Sequence, residues 1–108
     1  MMRAAIVAGV MMAAGAAWAQ APDWTAVDEC YRRSAADLDD MSSDAETIAG
    51  AVSFSCMTAE RKLVAYAKPG NEQERTQAHL DMRSTFLARA TTAVLVRRVM
   101  IRKGEMKP

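Results

Sequence analysis

Apolar residues recur at steps of three and four along residues 24–41: Trp24, Val27, Tyr31, Leu38 and Met41, with Ser34 in the gap. That spacing follows one face of a helix with 3.6 residues per turn, and predicts a helix over about 24–40. Asp23 or Thr25 can cap its start. The run Asp39-Asp40-Met41-Ser42-Ser43 is a polar break, and Ser43-x-x-Glu46 reads as a capping box. A second helix over about 44–67 then carries Ile48, Val52, Cys56, Ala59, Leu63 and Tyr66 as its stripe. Pro69-Gly70-Asn71 ends it, and Asn71-x-x-Glu74 can cap a third helix over about 72–103. In that helix Leu80, Leu87, Val94 and Ile101 fall seven apart, as do His79, Phe86, Ala93 and Met100, with the small Ala90 between. This is a broad apolar face of near-heptad period, able to lie along the first two helices. No alternating strand pattern competes, and Ala, Met, Arg and Glu favour helix throughout.

The first nineteen residues obey a different rule. Met1-Met2-Arg3 supplies one positive charge, residues 4–17 are uncharged and apolar, and Ala17-Trp18-Ala19 is a small-x-small sequence. Charge, apolar run and small residues in that order predict a cleaved secretory signal peptide at 1–19. The rival frame Ala19-Gln20-Ala21 would put Pro22 just after the cut, where its missing N–H disfavours cleavage. A membrane-spanning helix needs about 20 apolar residues, and this run is shorter. The expected mature chain is residues 20–108, one small helical domain exported to the periplasm or beyond.

Export changes the meaning of the two cysteines. Cys30 and Cys56, the only pair, are expected to form a disulfide in an oxidising compartment. Their spacing suits neither a zinc ligand set nor a Cys-x-x-Cys redox motif. In an antiparallel hairpin, facing positions sum to a constant. The cysteines then place the turn at Ser43, where the polar break lies. The same register sets Leu38 opposite Ile48, Ser34 opposite Val52, Val27 opposite Ala59, and Trp24 near Leu63. The predicted fold is therefore all-α: a disulfide-stapled antiparallel helical hairpin plus a long third helix, making a three-helix bundle. Helix lengths at 1.5 Å per residue leave the third helix without a second-helix partner beyond about Val94. Its end either projects past the hairpin or folds over its turn.

Charge adds a polarity. Residues 23–46 hold eight acidic and two basic side chains, whereas residues 61–107 hold eleven basic and four acidic ones. Loss of Arg3 with the signal takes the formal charge from +1 to 0. An acidic first helix beside a basic third helix accounts for this internally. A basic C-terminal surface facing a partner is the alternative. The segment richest in candidate chemistry is Leu95, Arg97, Arg98, Met100, Ile101, Arg102 and Lys103, with Val96, Val99 and Lys107. Cations interleaved with apolar residues at helical spacing suit an anionic membrane surface or a partner protein. Nucleic acid is not expected as a partner, because export separates the chain from it and the net charge is near zero.

Catalytic signals are weak. His79 is the lone histidine and has no neighbouring nucleophile in sequence, so a structural or solvated role is expected. Asp37, Asp39, Asp40 and Asp44 lack the spacing of a calcium loop. Trp24 and Tyr31 are expected in the hairpin core. No metal, cofactor or enzyme activity is expected. The sequence is read as a periplasmic protein-interaction or structural module, acting on a partner protein or as a homodimer. A membrane-surface role for the C-terminal segment is the alternative, and a small-ligand or ion binder between helices the third.

Overall fold

The computed structural model describes residues 23–108, all helices and connections with no strand among them. The expected signal peptide lies outside the described residues. Five helices follow in order: α1 (Thr25–Leu38), α2 (Ala45–Ser55), α3 (Met57–Ala67), α4 (Glu72–Asp81) and α5 (Arg83–Arg102). Cys30 and Cys56 form a disulfide, with Cα atoms 5.9 Å apart.

Where single helices were expected over 44–67 and 72–103, each is interrupted at one residue. Cys56 ends α2 and begins α3, with φ −101° and ψ 18°. Its N–H reaches both Val52 O and Ser53 O, while its own carbonyl accepts from Glu60 N–H. Met82 separates α4 from α5 in the same manner, donating to Ala78 O and accepting from Phe86 N–H. Hydrogen bonding thus runs through both breaks.

Side-chain caps start α2 and α4, and an aspartate hydrogen bond precedes α1. The side chain of Asp23 accepts from Thr25 N–H at 3.0 Å. At α2 the cap is Asp44, one residue later than the expected Ser43, accepting from Thr47 N–H at 2.7 Å. Ser43 is otherwise engaged: its hydroxyl donates to Asp40 Oδ2, and its N–H to Asp40 Oδ1. Asn71 and Glu74 form the expected capping box at α4. The turn between α1 and α2 also holds Met41 at φ +64°, a left-handed conformation uncommon for a non-glycine residue.

α5 packs against both α1 and α2, and α4 packs on α3. The core runs through Val27, Tyr31 and Ala35 of α1, Ile48, Ala49 and Val52 of α2, Leu63 and Val64 of α3, and Phe86, Ala90 and Val94 of α5. Several stripe residues turn out differently from expectation. Leu38, Tyr66 and Leu80 are exposed, and Ala35 takes the inward place expected of Leu38. Trp24 packs edge-on against Phe86 of α5, with ring centroids 5.4 Å apart. The inward line of α5 is Phe86, Ala90, Val94 and Arg97; the first three belong to the expected broad face, whereas Leu87 is half-buried and Arg97 was not expected inside. The methyl of Ala90 lets neighbouring helices approach where a leucine would hold them apart.

Candidate functional site

Among the described residues, two polar centres and a groove between α1 and α5 bear most directly on function. The first centre is Glu60, on α3 and 1% exposed. Its Oε2 accepts from Tyr31 Oη at 2.6 Å and from Ser53 Oγ at 2.5 Å. Its Oε1 lies 2.9 Å from His79 Nε2. Four helices therefore converge on one carboxylate. Burial, with the Glu60 carboxylate beside it, pushes the Tyr31 hydroxyl far above its ordinary pKa of 10.0. His79 also lies against the Phe86 ring at 5.2 Å. The site is closed and saturated, so its chemistry is structural: a charge is held in the interior by a full set of partners.

The second centre ties the end of α5 to the α1–α2 turn. Arg98 grips Asp39 with two hydrogen bonds, at 2.6 and 3.0 Å, and donates a third to Ser43 O at 2.7 Å. The Arg98 fork holds the Asp39 carboxyl below its usual value and raises the guanidinium's own. Arg97 comes next and is 8% exposed. It lies 3.6 Å from Asp39 Oδ2 and 3.6 Å from the Met41 thioether. Its buried Nε has no acceptor among the described residues. Two guanidinium groups share one carboxylate, and Arg98 holds the better geometry.

The groove lies between α1 and α5, with a volume of about 1010 Å³. Ala36, Thr85, Ala88, Thr92, Ala93 and Val96 give it a largely apolar floor, and Met100 and Met106 close one end. Its rim carries Arg32, Arg33 and Arg89 against Asp28, and the buried Arg97 also lines it. Asp28 is taken by Arg89 through bonds of 2.6 and 3.1 Å. That pairing raises the pKa of Arg89, whose guanidinium also sits 4.2 Å over the Trp24 ring. Arg32 and Arg33 are exposed and form no ion pair among the described residues.

The residues expected to form a C-terminal interaction surface are divided by the fold. Arg97 and Arg98 point into the molecule and hold the α1–α2 turn, which places the end of α5 over that turn. Met100 lines the groove with Arg97. Leu95 is exposed, Ile101 half-buried, and Arg102 and Lys103 are exposed at the end of α5. The four acids near the turn have separate tasks: Asp39 pairs with Arg98, Asp40 folds the loop, Asp44 caps α2, and Asp37 is exposed. Among the described residues no group of His, Cys, Asp or Glu is placed to hold a metal, and no helix is long and apolar enough to cross a membrane.

The Glu60 centre and the floor of the groove escaped sequence reasoning. A glutamate one position from a stripe residue reads as solvated. Thr85, Ala88 and Thr92 do recur at three and four, but alanine and threonine give little hydrophobic contrast. No protein-family model matches the chain, and no curated protein and no solved structure is similar enough to it to count as a match.

Proposed function

We propose that this chain is a small exported interaction module, in which the five helices act as three rods of a disulfide-stapled bundle. On this reading residues 1–19 are removed on export, and the mature protein works in the periplasm through a partner protein. A disulfide belongs to an oxidising compartment, which supports that placement. The observation that carries the docking role is the open groove between α1 and α5: apolar in its floor, cationic at its rim, and lined by no residue of α2, α3 or α4. Specific interfaces combine an apolar centre with a polar rim in this way. A photo-crosslinking side chain placed at Thr92 or Val96 should capture a discrete protein in the periplasm, whereas one at the exposed Arg61 on α3 should not. No adduct from either groove position would end this reading. The N-terminal mass of the recovered protein should begin at Gln20.

A second reading rests on Leu95, Val96 and Val99, exposed beside Arg102 and Lys103. Apolar side chains there would enter the headgroup region of an anionic membrane while the cations meet phosphates. Flotation of the purified mature protein with phosphatidylglycerol vesicles tests it; protein left at the bottom of the gradient rules it out.

A further inference from the structure

A pair of helices lying side by side leaves a cleft on each flank. In this chain α2 fills one flank of the α1–α5 pair, burying Ile48, Ala49 and Val52 there. The other flank is the groove, which only α1, α5 and the residues after it line. From Ser84 to Met100 it extends for about 24 Å along α5, the length of roughly four to five helical turns. The small side chains of Ala36, Ala88 and Ala93 allow a helix backbone to come close, as Ala90 does on the occupied flank.

Charge then selects among helices. The groove lining holds four arginines and one aspartate, and that aspartate is already bound to Arg89. Arg32 and Arg33 are exposed on the rim and form no ion pair among the described residues. Arg97 lines the groove with its charge met only by a 3.6 Å contact to Asp39 Oδ2 among the described residues. A basic helix would be repelled, and a neutral one would cover these cations without pairing them. A carboxylate-bearing helix supplies acceptors to the exposed Arg32 and Arg33 and brings counter-charge close to Arg97, which lines the groove.

Resting on the reading of this groove as a protein-docking surface, we infer that its partner element is an acidic amphipathic α-helix of about four turns. Its apolar stripe lies on Ala36, Ala88, Thr92 and Val96, and flanking Glu or Asp side chains meet Arg32, Arg33 and the guanidinium of Arg97. The completed arrangement is a four-helix layer in which α2 and the partner helix face each other across α1 and α5.

Two synthetic helical peptides of about 18 residues test this. They share one Leu/Ala stripe, flanked by Glu in one and by Lys in the other. Fluorescence anisotropy with the oxidised mature protein at low salt should show the Glu peptide binding at least about tenfold more tightly than the Lys peptide. Raising the salt to about 0.5 M should weaken the Glu complex. The Arg32→Glu/Arg33→Glu variant changes only exposed side chains and should weaken that complex by on the order of tenfold, while strengthening the Lys complex. Equal or tighter binding of the Lys peptide would overturn the inference. So would failure of both peptides; if crosslinks at Thr92 and Val96 persist in that case, the groove still docks protein and only the acidic-helix partner is wrong. A dimer in sedimentation that Thr92→Trp dissociates would also overturn it, assigning the groove to a second copy of this chain. Flotation on anionic vesicles with neither peptide bound and no crosslink would overturn both readings.

Discussion

Glu60 and Arg97 are both buried ionisable side chains, yet the protein treats them differently. Glu60 has both oxygens engaged by Tyr31, Ser53 and His79. Arg97 has a thioether, an imperfect ion contact and an Nε with no acceptor among the described residues. Taking a charge out of water is expensive, and interiors return that expense only when the partner set is complete. The saturated centre therefore belongs to the architecture, because four helices must be in place before it exists. Arg97 also lines an open groove, so a counter-charge from outside can come close to its guanidinium. The difference separates what holds this fold from what the fold leaves available.

The strongest challenge to that contrast is Glu60→Ala. It removes the carboxylate and leaves the Tyr31 and Ser53 hydroxyls and His79 facing an apolar gap. Each buried donor left without its acceptor costs about 1–3 kcal/mol, so the three together cost on the order of 3–5 kcal/mol. Urea denaturation of the oxidised protein should show a loss of this size, and a loss under about 1 kcal/mol would mean the network is incidental. The next effect is the disulfide. Closing a loop across 26 residues restricts the unfolded chain by about 3.5 kcal/mol in the chain-entropy model. The Cys30→Ser/Cys56→Ser double variant should lose close to that amount, since the bridge joins α1 to the junction of α2 and α3 beside the Glu60 centre. Tyr31→Phe is gentler: it deletes one donor to the carboxylate and should lower stability by about 1.5–3 kcal/mol in the same assay.

These numbers also show how much was legible beforehand. The pattern of threes and fours, with the cysteine pair, leads to α1, to the helical stretch that holds α2 and α3, and to the turn before it, because periodicity reports burial directly. It misplaced Leu38, Tyr66 and Leu80. A stripe marks a face some hundred degrees wide, and which edge of that face meets a neighbour depends on crossing angles absent from the pattern. Glu60 and Arg97 were hidden for a related reason. A charged side chain is assigned to solvent unless its partners are known, and those partners are 19–29 residues away for Tyr31 and His79, and 58 for Asp39. The opposite charges of the two halves did carry information: Asp28–Arg89 and Asp39–Arg98 join α1 to α5.

Acid should act on the Arg97 side of the comparison. Asp39 titrates below its unfolded value of 3.8, because the Arg98 fork stabilises its charged form. A lowered folded pKa contributes stability that is complete above the unfolded value and disappears as the pH falls through the folded one. Thermal midpoints should therefore drop below about pH 4, and Asp39→Asn should flatten that part of the profile. An unchanged acid limb in Asp39→Asn would show that other carboxylates govern it.

The smallest expected change in stability is the most informative. Arg97→Met replaces a buried and poorly partnered guanidinium with an apolar side chain of similar reach. Replacing buried ionic groups by well-packed apolar ones is often neutral or stabilising, provided no counter-charge is stranded. Asp39 is not stranded, since Arg98 keeps both of its bonds to it. Stability should therefore stay within about 1 kcal/mol of the parent, in contrast to Glu60→Ala. Binding of the Glu-flanked peptide should weaken in the same variant. Unchanged stability with weakened binding is the signature of a charge retained for a partner rather than for the fold. A loss above about 2 kcal/mol would instead place Arg97 with Glu60, as a structural ion whose distant contacts to Asp39 and Met41 are sufficient.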